Sequence, residues 1–159
     1  MAKARKEVEI AVRVGNRPAA LGEALAAIAA RGVNVLAYCS YSDRDDLMIL
    51  LITDNALKAM DALRAAGFSC KANSVVLVGA SDEVGAAARI GAHLGMAGVE
   101  ILNSYASSSG SEQFVAVFKT TNDERAIQAL EICPQARAAA REAVQSEASS
   151  STGRIEVVR

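Results

Sequence analysis

The chain has 159 residues, 52% of them apolar and 22% charged, with a formal net charge of −1. Such a chain buries one sizeable core or two small ones, and its composition excludes intrinsic disorder. A charge so near zero argues against a general nucleic-acid binder, and no apolar run reaches the length of a membrane span.

Lys3, Arg5 and Lys6 give the chain a basic start that reads as a solvated tail. Residues 7–14 alternate, with Val8, Ile10, Val12 and Val14 on one side, which predicts a half-buried strand. Residues 15–21 then form a strand-to-helix turn, with Gly15 for backbone freedom, Asn16 as N-cap and Pro18 in the first helical turn. Leu21, Ala24, Leu25 and Ile28 fall on one face of the following helix. The first N–H groups of such a helix lack intrahelical partners and can hold the carboxylate of a small ligand, or water.

Residues 33–41 read as a strand, 42–46 as a polar hairpin turn and 47–53 as a strand apolar on both faces. Asp54 or Asn55 caps a second helix with Leu57, Met60 and Leu63 on its inner face. Gly67 ends that helix, and residues 68–72 make a fourth strand. The second half repeats the first. Gly32-Val33-Asn34-Val35-Leu36 matches Gly98-Val99-Glu100-Ile101-Leu102, an offset of 66 residues. The same offset carries Asn16 onto Asp82, Pro18 onto Val84 and Ala19 onto Gly85. It carries Leu21, Ala24, Leu25 and Ile28 onto Ala87, Ile90, Gly91 and Leu94, and residues 48–52 onto 114–118. Met60 and Leu63 match Ile127 and Leu130 at an offset of 67. Pro134 then opens an Ala-rich helix at 134–148 with no counterpart in the first half, and residues 154–158 read as a delayed fourth strand.

Strand, helix, strand, strand, helix, strand, met twice, predicts an α+β protein. It has two ferredoxin-like (βαββαβ) sandwiches in tandem, each an antiparallel four-stranded sheet with its helices on one face. The units are residues 1–73 and 74–159, each with its first and third strands central and its second and fourth at the edges. Residues 47–52, 75–78 and 114–118 are apolar on both faces, so the helix-free face needs a cover: the sister unit or, as favoured here, a second subunit.

The turn and its setting resemble the ACT domain, a ferredoxin-like regulatory module that binds amino acids in many metabolic enzymes. Its turn motif is typically Asp, any residue, Pro, Gly, any residue, Leu. The first unit matches at Pro18 and Leu21, with Asn16 for the Asp and Ala19 for the Gly. The second matches at Asp82 and Gly85, with Val84 for the Pro and Ala87 for the Leu. The resemblance implies a binding module whose ligand sits between two modules, held by backbone groups of the turn. One site would use Asn16, Arg17, Pro18, Ala19, Ala20 and Leu21 with Asn34. The other would use Asp82, Glu83, Val84, Gly85 and Ala86 with Glu100. The duplication predicts paired helix-start pockets at a shared seam.

Other chemistry is thin. Asp43, Asp45 and Asp46 read as a solvated turn, His93 as a partly exposed helix residue, and Tyr38 and Tyr41 as opposite faces of an edge strand. No phosphate-binding loop or hydrolase signature occurs, and no metal or cofactor is expected. The odd, widely spaced Cys39, Cys70 and Cys133 fit reduced thiols in a cytoplasmic protein. The reading is a non-enzymatic, amino-acid-binding regulatory protein, acting through its own assembly as a dimer or through a partner. The alternative is a regulatory subunit of an amino-acid biosynthetic enzyme, such as the small subunit of acetolactate synthase.

Overall fold

A computed structural model describes residues 3–108 and 113–131. The elements run β1 (Lys3–Gly15), α1 (Ala20–Ala29), β2 (Val35–Asp43), β3 (Asp46–Thr53), α2 (Ala56–Ala65), β4 (Ser69–Ser81), α3 (Ala86–Met96), β5 (Ile101–Ser108), β6 (Gln113–Thr120) and α4 (Asp123–Glu131). The strands form one six-stranded antiparallel sheet in the order β2-β3-β1-β4-β6-β5.

Two βαββαβ-like units are present, but their sheets are merged rather than separate. The expected fourth strand of the first unit and first strand of the second are one 13-residue strand, β4. The sequence ends one strand at residue 72 and divides the units between Asn73 and Ser74. Neither is a Gly or Pro that bends a chain, and both have partners. Asn73 Nδ2 donates to Glu9 Oε1 at 3.2 Å, and Ser74 Oγ donates to Asp123 Oδ2 at 2.5 Å. β4 is therefore interior, and only β2 and β5 are edges of the six-stranded sheet.

The basic start is likewise strand, not tail. Lys3 pairs with Gly79 and the ladder continues to Arg13 against Ser69. Residues 3–7 thus occupy the fourth-strand position of the second unit, the place expected for 154–158; that segment and the 134–148 helix lie outside the described residues. Ala4 is buried with Val76, Val78, Ile90 and Leu94, and Lys6 Nζ bonds Glu124 Oε1 of α4 at 2.8 Å. Val8 pairs with Ser74, its own repeat equivalent, so a pseudo-twofold axis passes between them.

Alternation sends Ile10 and Val12 of β1 under α1 and α2, with Ile28, Ile49, Leu51 and Leu63. Val76 and Val78 of β4 go under α3 and α4, with Ile90, Leu94, Ala116 and Leu130. The inner face of α2 is Ala59, Met60, Ala62 and Leu63; Leu57, expected there, is 79% exposed. The opposite, helix-free face gathers Ile52, Val75, Leu77 and Val117, with Ala37 and Tyr105 packed against them. These residues bury one another within one chain because the sheet curls. Tyr105 of β5 reaches Glu9 of β1, three strands away and roughly 14 Å on a flat sheet. The apolar excess that pointed to a second subunit is thus covered from inside, by the sister unit.

The duplication extends to irregularities. Both edge strands carry a register shift, at residues 35–37 and 101–103, leaving Leu36 and Leu102 exposed. Asn55 Oδ1 caps α2 by accepting from Lys58 N at 3.0 Å, and Asn122 Oδ1 caps α4 by accepting from Arg125 N at 2.9 Å. No helix among the described residues is long and apolar enough to cross a membrane.

Ala4→Asp tests the shared strand. It places an unpaired carboxylate in the second unit's core and should cost about 3 kcal/mol or more in urea unfolding. A solvated tail would leave stability unchanged.

Candidate functional site

Both strand-to-helix turns have the same backbone. Ala20 N bonds Arg17 O at 3.2 Å and Glu23 N bonds Ala19 O at 2.9 Å. At the equivalent positions Ala86 N bonds Glu83 O and Arg89 N bonds Gly85 O, each at 2.9 Å. The residue before each helix is left-handed: Ala19 at φ 71° and Gly85 at φ 83°. Neither Asn16 nor Gly15 plays the part expected of it. Gly15 is the last residue of β1, Pro18 precedes the helix, and Asn16 does not cap it. Asn16 Nδ2 instead donates to Ser42 Oγ at 2.9 Å, and its N–H bonds Asp45 O at 2.8 Å. At the equivalent place in the second turn the direction is reversed, and Ser108 Oγ donates to Asp82 Oδ2. Each bond ties its turn to the end of the neighbouring edge strand.

The side chains that flank the two turns pair in opposite senses. Arg17 in the first turn bonds Glu23 on α1, with Nη1 to Oε1 at 2.8 Å. In the second turn Glu83 accepts from Arg89 on α3 at 3.2 Å. The positions correspond and the charges are exchanged. In both, the guanidinium also touches the carbonyl before the left-handed residue: Arg17 Nη1 to Pro18 O at 3.5 Å, Arg89 Nη1 to Val84 O at 3.2 Å. The hydrogen bond from Arg17, followed by its charge, holds the Glu23 carboxyl below the usual carboxylate range. A depressed carboxylate supports the folded state above its unfolded range, and that support disappears as pH falls through its folded value. Both partners are about half exposed, so the pair orients the turn more than it stabilises it.

Asn16, Arg17, Pro18 and Ala19 lie exposed together at the first turn, with Ala20 buried beneath and Leu21 half-buried. Asp82, Glu83, Val84 and Gly85 lie exposed at the second, with Ala86 buried. Asn34 and Glu100 are not beside these turns. They precede β2 and β5 at the far ends of α1 and α3, roughly 25 Å away by strand rise. Asn34 N–H donates to the Asp54 carboxylate and Asn34 O accepts from Asp54 N, each at 3.0 Å, and Glu100 O accepts from Thr121 N at 3.1 Å. Nor do the two turns share a seam. They follow opposite ends of the antiparallel β1–β4 pair, the length of a 13-residue strand apart, roughly 40 Å. A shallow groove lined by Lys6, Glu7, Val8, Ala72, Asn73 and Ser74 sits on the pseudo-twofold axis and contains none of the turn residues. Asp43 and Asp45 are exposed, Asp46 pairs with Arg13 at 2.5 Å, and His93 is half-buried on α3. Among the described residues no group of three His, Cys, Asp or Glu could hold a metal ion.

Two features escaped the sequence reading. The left-handed position was legible in Gly85, whose equivalent is Ala19. The exchanged ion pair needed the offset of 66 applied to the charged residues as well as the apolar ones.

A left-handed alanine is strained by its Cβ. Ala19→Gly should therefore stabilise the protein by about 0.5–1 kcal/mol and Gly85→Ala destabilise it by about 1 kcal/mol, read from denaturant midpoints. At Gly85 the new Cβ meets Arg89 Nη1 at 3.4 Å, ordinary contact, so the cost is backbone strain. Equal small losses at both positions would contradict the shared geometry.

No family model matches the chain, and no curated protein matches it in sequence. Solved structures do. Protein BT0572 from Bacteroides thetaiotaomicron matches with a TM-score of 0.74 at 23% identity, over 80% of this chain and 88% of that one. The ligand-free regulatory subunit of aspartate kinase from Thermus thermophilus matches with a TM-score of 0.63 at 15% identity, over 81% and 93%. The aspartate kinase of Clostridium acetobutylicum, described as an allosteric enzyme, matches with a TM-score of 0.55 at 17% identity, over 80% of this chain and 33% of that one. The chain has the fold of the aspartate kinase regulatory subunits, the tandem ACT-like architecture that the turn motif and the duplication resembled.

Proposed function

We propose that this protein is a non-catalytic regulatory protein that binds a free amino acid at its strand-to-helix turns. It would pass the binding on through its assembly, as a cytoplasmic dimer, or through a partner enzyme. The observation that carries the reading is the duplicated turn. One backbone conformation, one tie to the neighbouring strand and one ion pair recur 66 residues apart, on a fold used by aspartate kinase regulatory subunits. A helix N-terminus attracts a carboxylate, and each turn places an acid and an arginine beside it. When the ion pair opens, the helix N–H groups and the arginine suit an amino acid's carboxylate and the acid suits its ammonium group. Asn16 to Leu21 and Asp82 to Ala86 are the proposed contacts. Asn34 and Glu100 belong to the sites only if a second copy brings its own strand start against the turn. The two modules would divide within β4, near residue 73.

A second reading, a subunit of an amino-acid biosynthetic enzyme, is favoured by the matched structures. The Thermus protein is a regulatory subunit, and the Clostridium match is a third of a longer enzyme. In either reading ligand occupancy changes the relative stability of two arrangements, which is the source of regulation.

Calorimetry against the twenty amino acids tests the proposal. At a hundred times its dissociation constant, a ligand stabilises the protein by about 2.7 kcal/mol, which a thermal-shift screen detects first. Asn16→Ala combined with Asp82→Ala should weaken binding at least tenfold while the protein stays folded, with only the small loss of stability that two exposed hydrogen bonds carry. No binding by the wild type, or wild-type affinity in the double variant, contradicts the proposal.

A further inference from the structure

The helix-free face is asymmetric across the pseudo-twofold axis. Glu9, Asn73, Asn103 and Tyr105 occupy positions whose repeat equivalents are Val75, Glu7, Ala37 and Cys39. Glu9 is fully buried, and so is Val75 at the matching place in β4. A valine serves there, so the fold itself does not require a carboxylate at this position. A buried carboxylate also carries a desolvation cost that an apolar residue avoids. Glu9 is kept in place by two donors, Asn73 Nδ2 and Tyr105 Oη, each at 3.2 Å, and no salt bridge reaches it among the described residues. Asn73 is its direct neighbour across β1 and β4. Tyr105 is not a neighbour: it stands on edge strand β5 and reaches over β6 and β4. Burial, and then the Glu9 charge, push the Tyr105 hydroxyl well above its ordinary range, so it remains a donor at any physiological pH.

We propose that the Tyr105–Glu9 hydrogen bond is a latch between the two units, fixing the curl of the sheet and so the disposition of β5 and β6 relative to β1. The Asn73–Glu9 bond lies within the β1–β4 pair, and the contacts among Ile52, Val75, Leu77 and Val117 are apolar and non-directional, and they tolerate sliding. The phenol–carboxylate contact joins an edge strand of the second unit to a central strand of the first by a directed bond. Its loss frees the outer half of the second unit without unfolding the first, whether or not either turn holds a ligand.

Amide hydrogen exchange on the full chain tests the latch. Tyr105→Phe keeps the ring and removes the donor. Amides of β5 and β6 should exchange at least tenfold faster, with those of β2 and β3 unchanged. Glu9→Gln, which keeps an acceptor for the phenol, should leave β5 and β6 protected to within about threefold of wild type. Unchanged protection of β5 in Tyr105→Phe, or an equal loss of protection in all six strands, would overturn the proposal.

Discussion

The pairing of β1 with β4 is the constraint on which the rest of the structure depends. Each strand runs 13 residues, and each belongs to both halves of the chain. The second half of β1 is the first strand of the first unit, and its first half completes the second unit. β4 does the converse. The first unit closes its four-stranded sheet with its own residues 69–73, whereas the second takes its fourth strand from residues 3–7, and both helix pairs stand on one face of a common sheet. The same pairing sends the two strand-to-helix turns to opposite ends of the molecule. Any ligand site that needs two turns, or a turn and a strand start, must draw on more than one copy of the chain.

Within this frame the duplication has kept backbone and exchanged chemistry. The left-handed residue, the tie from the turn to the edge strand, the N-cap asparagines and the edge-strand irregularities all recur. These are features that set the path of the chain. Charges have been free to change. Arg17 and Glu23 became Glu83 and Arg89, keeping the pair while reversing it. On the helix-free face the change went further: a valine in one strand is a buried glutamate in the other. A change of that kind costs stability and gives direction, because a hydrogen bond specifies an arrangement where apolar contact does not.

Much of this was legible in the sequence. Apolar patterning and the offset of 66 placed each helix and most of each strand among the described residues, but residues 3–6 of β1 read as a tail and β4 read as two strands. What failed was the reading of polar residues. Lys3, Arg5 and Lys6 looked like a tail, and Asn73-Ser74 looked like a joint, because pattern reasoning assigns charged and amide side chains to solvent. Lys6 has Glu124, Asn73 has Glu9 and Ser74 has Asp123, all from segments distant in sequence. Leu57 failed in the other direction: it has the right spacing but stands at the solvent end of α2. The doubly apolar strands were read correctly as needing a second cover, and sheet curl, which leaves no trace in local pattern, supplied it.

The shared strand is open to direct measurement by NMR. One continuous register predicts cross-strand contacts between the backbones of Lys6 and Val76, of Val8 and Ser74, and of Ile10 and Ala72 in the same molecule. Contacts from residues 154–158 to Val76 and Val78, with residues 3–7 free of β4, would contradict the account.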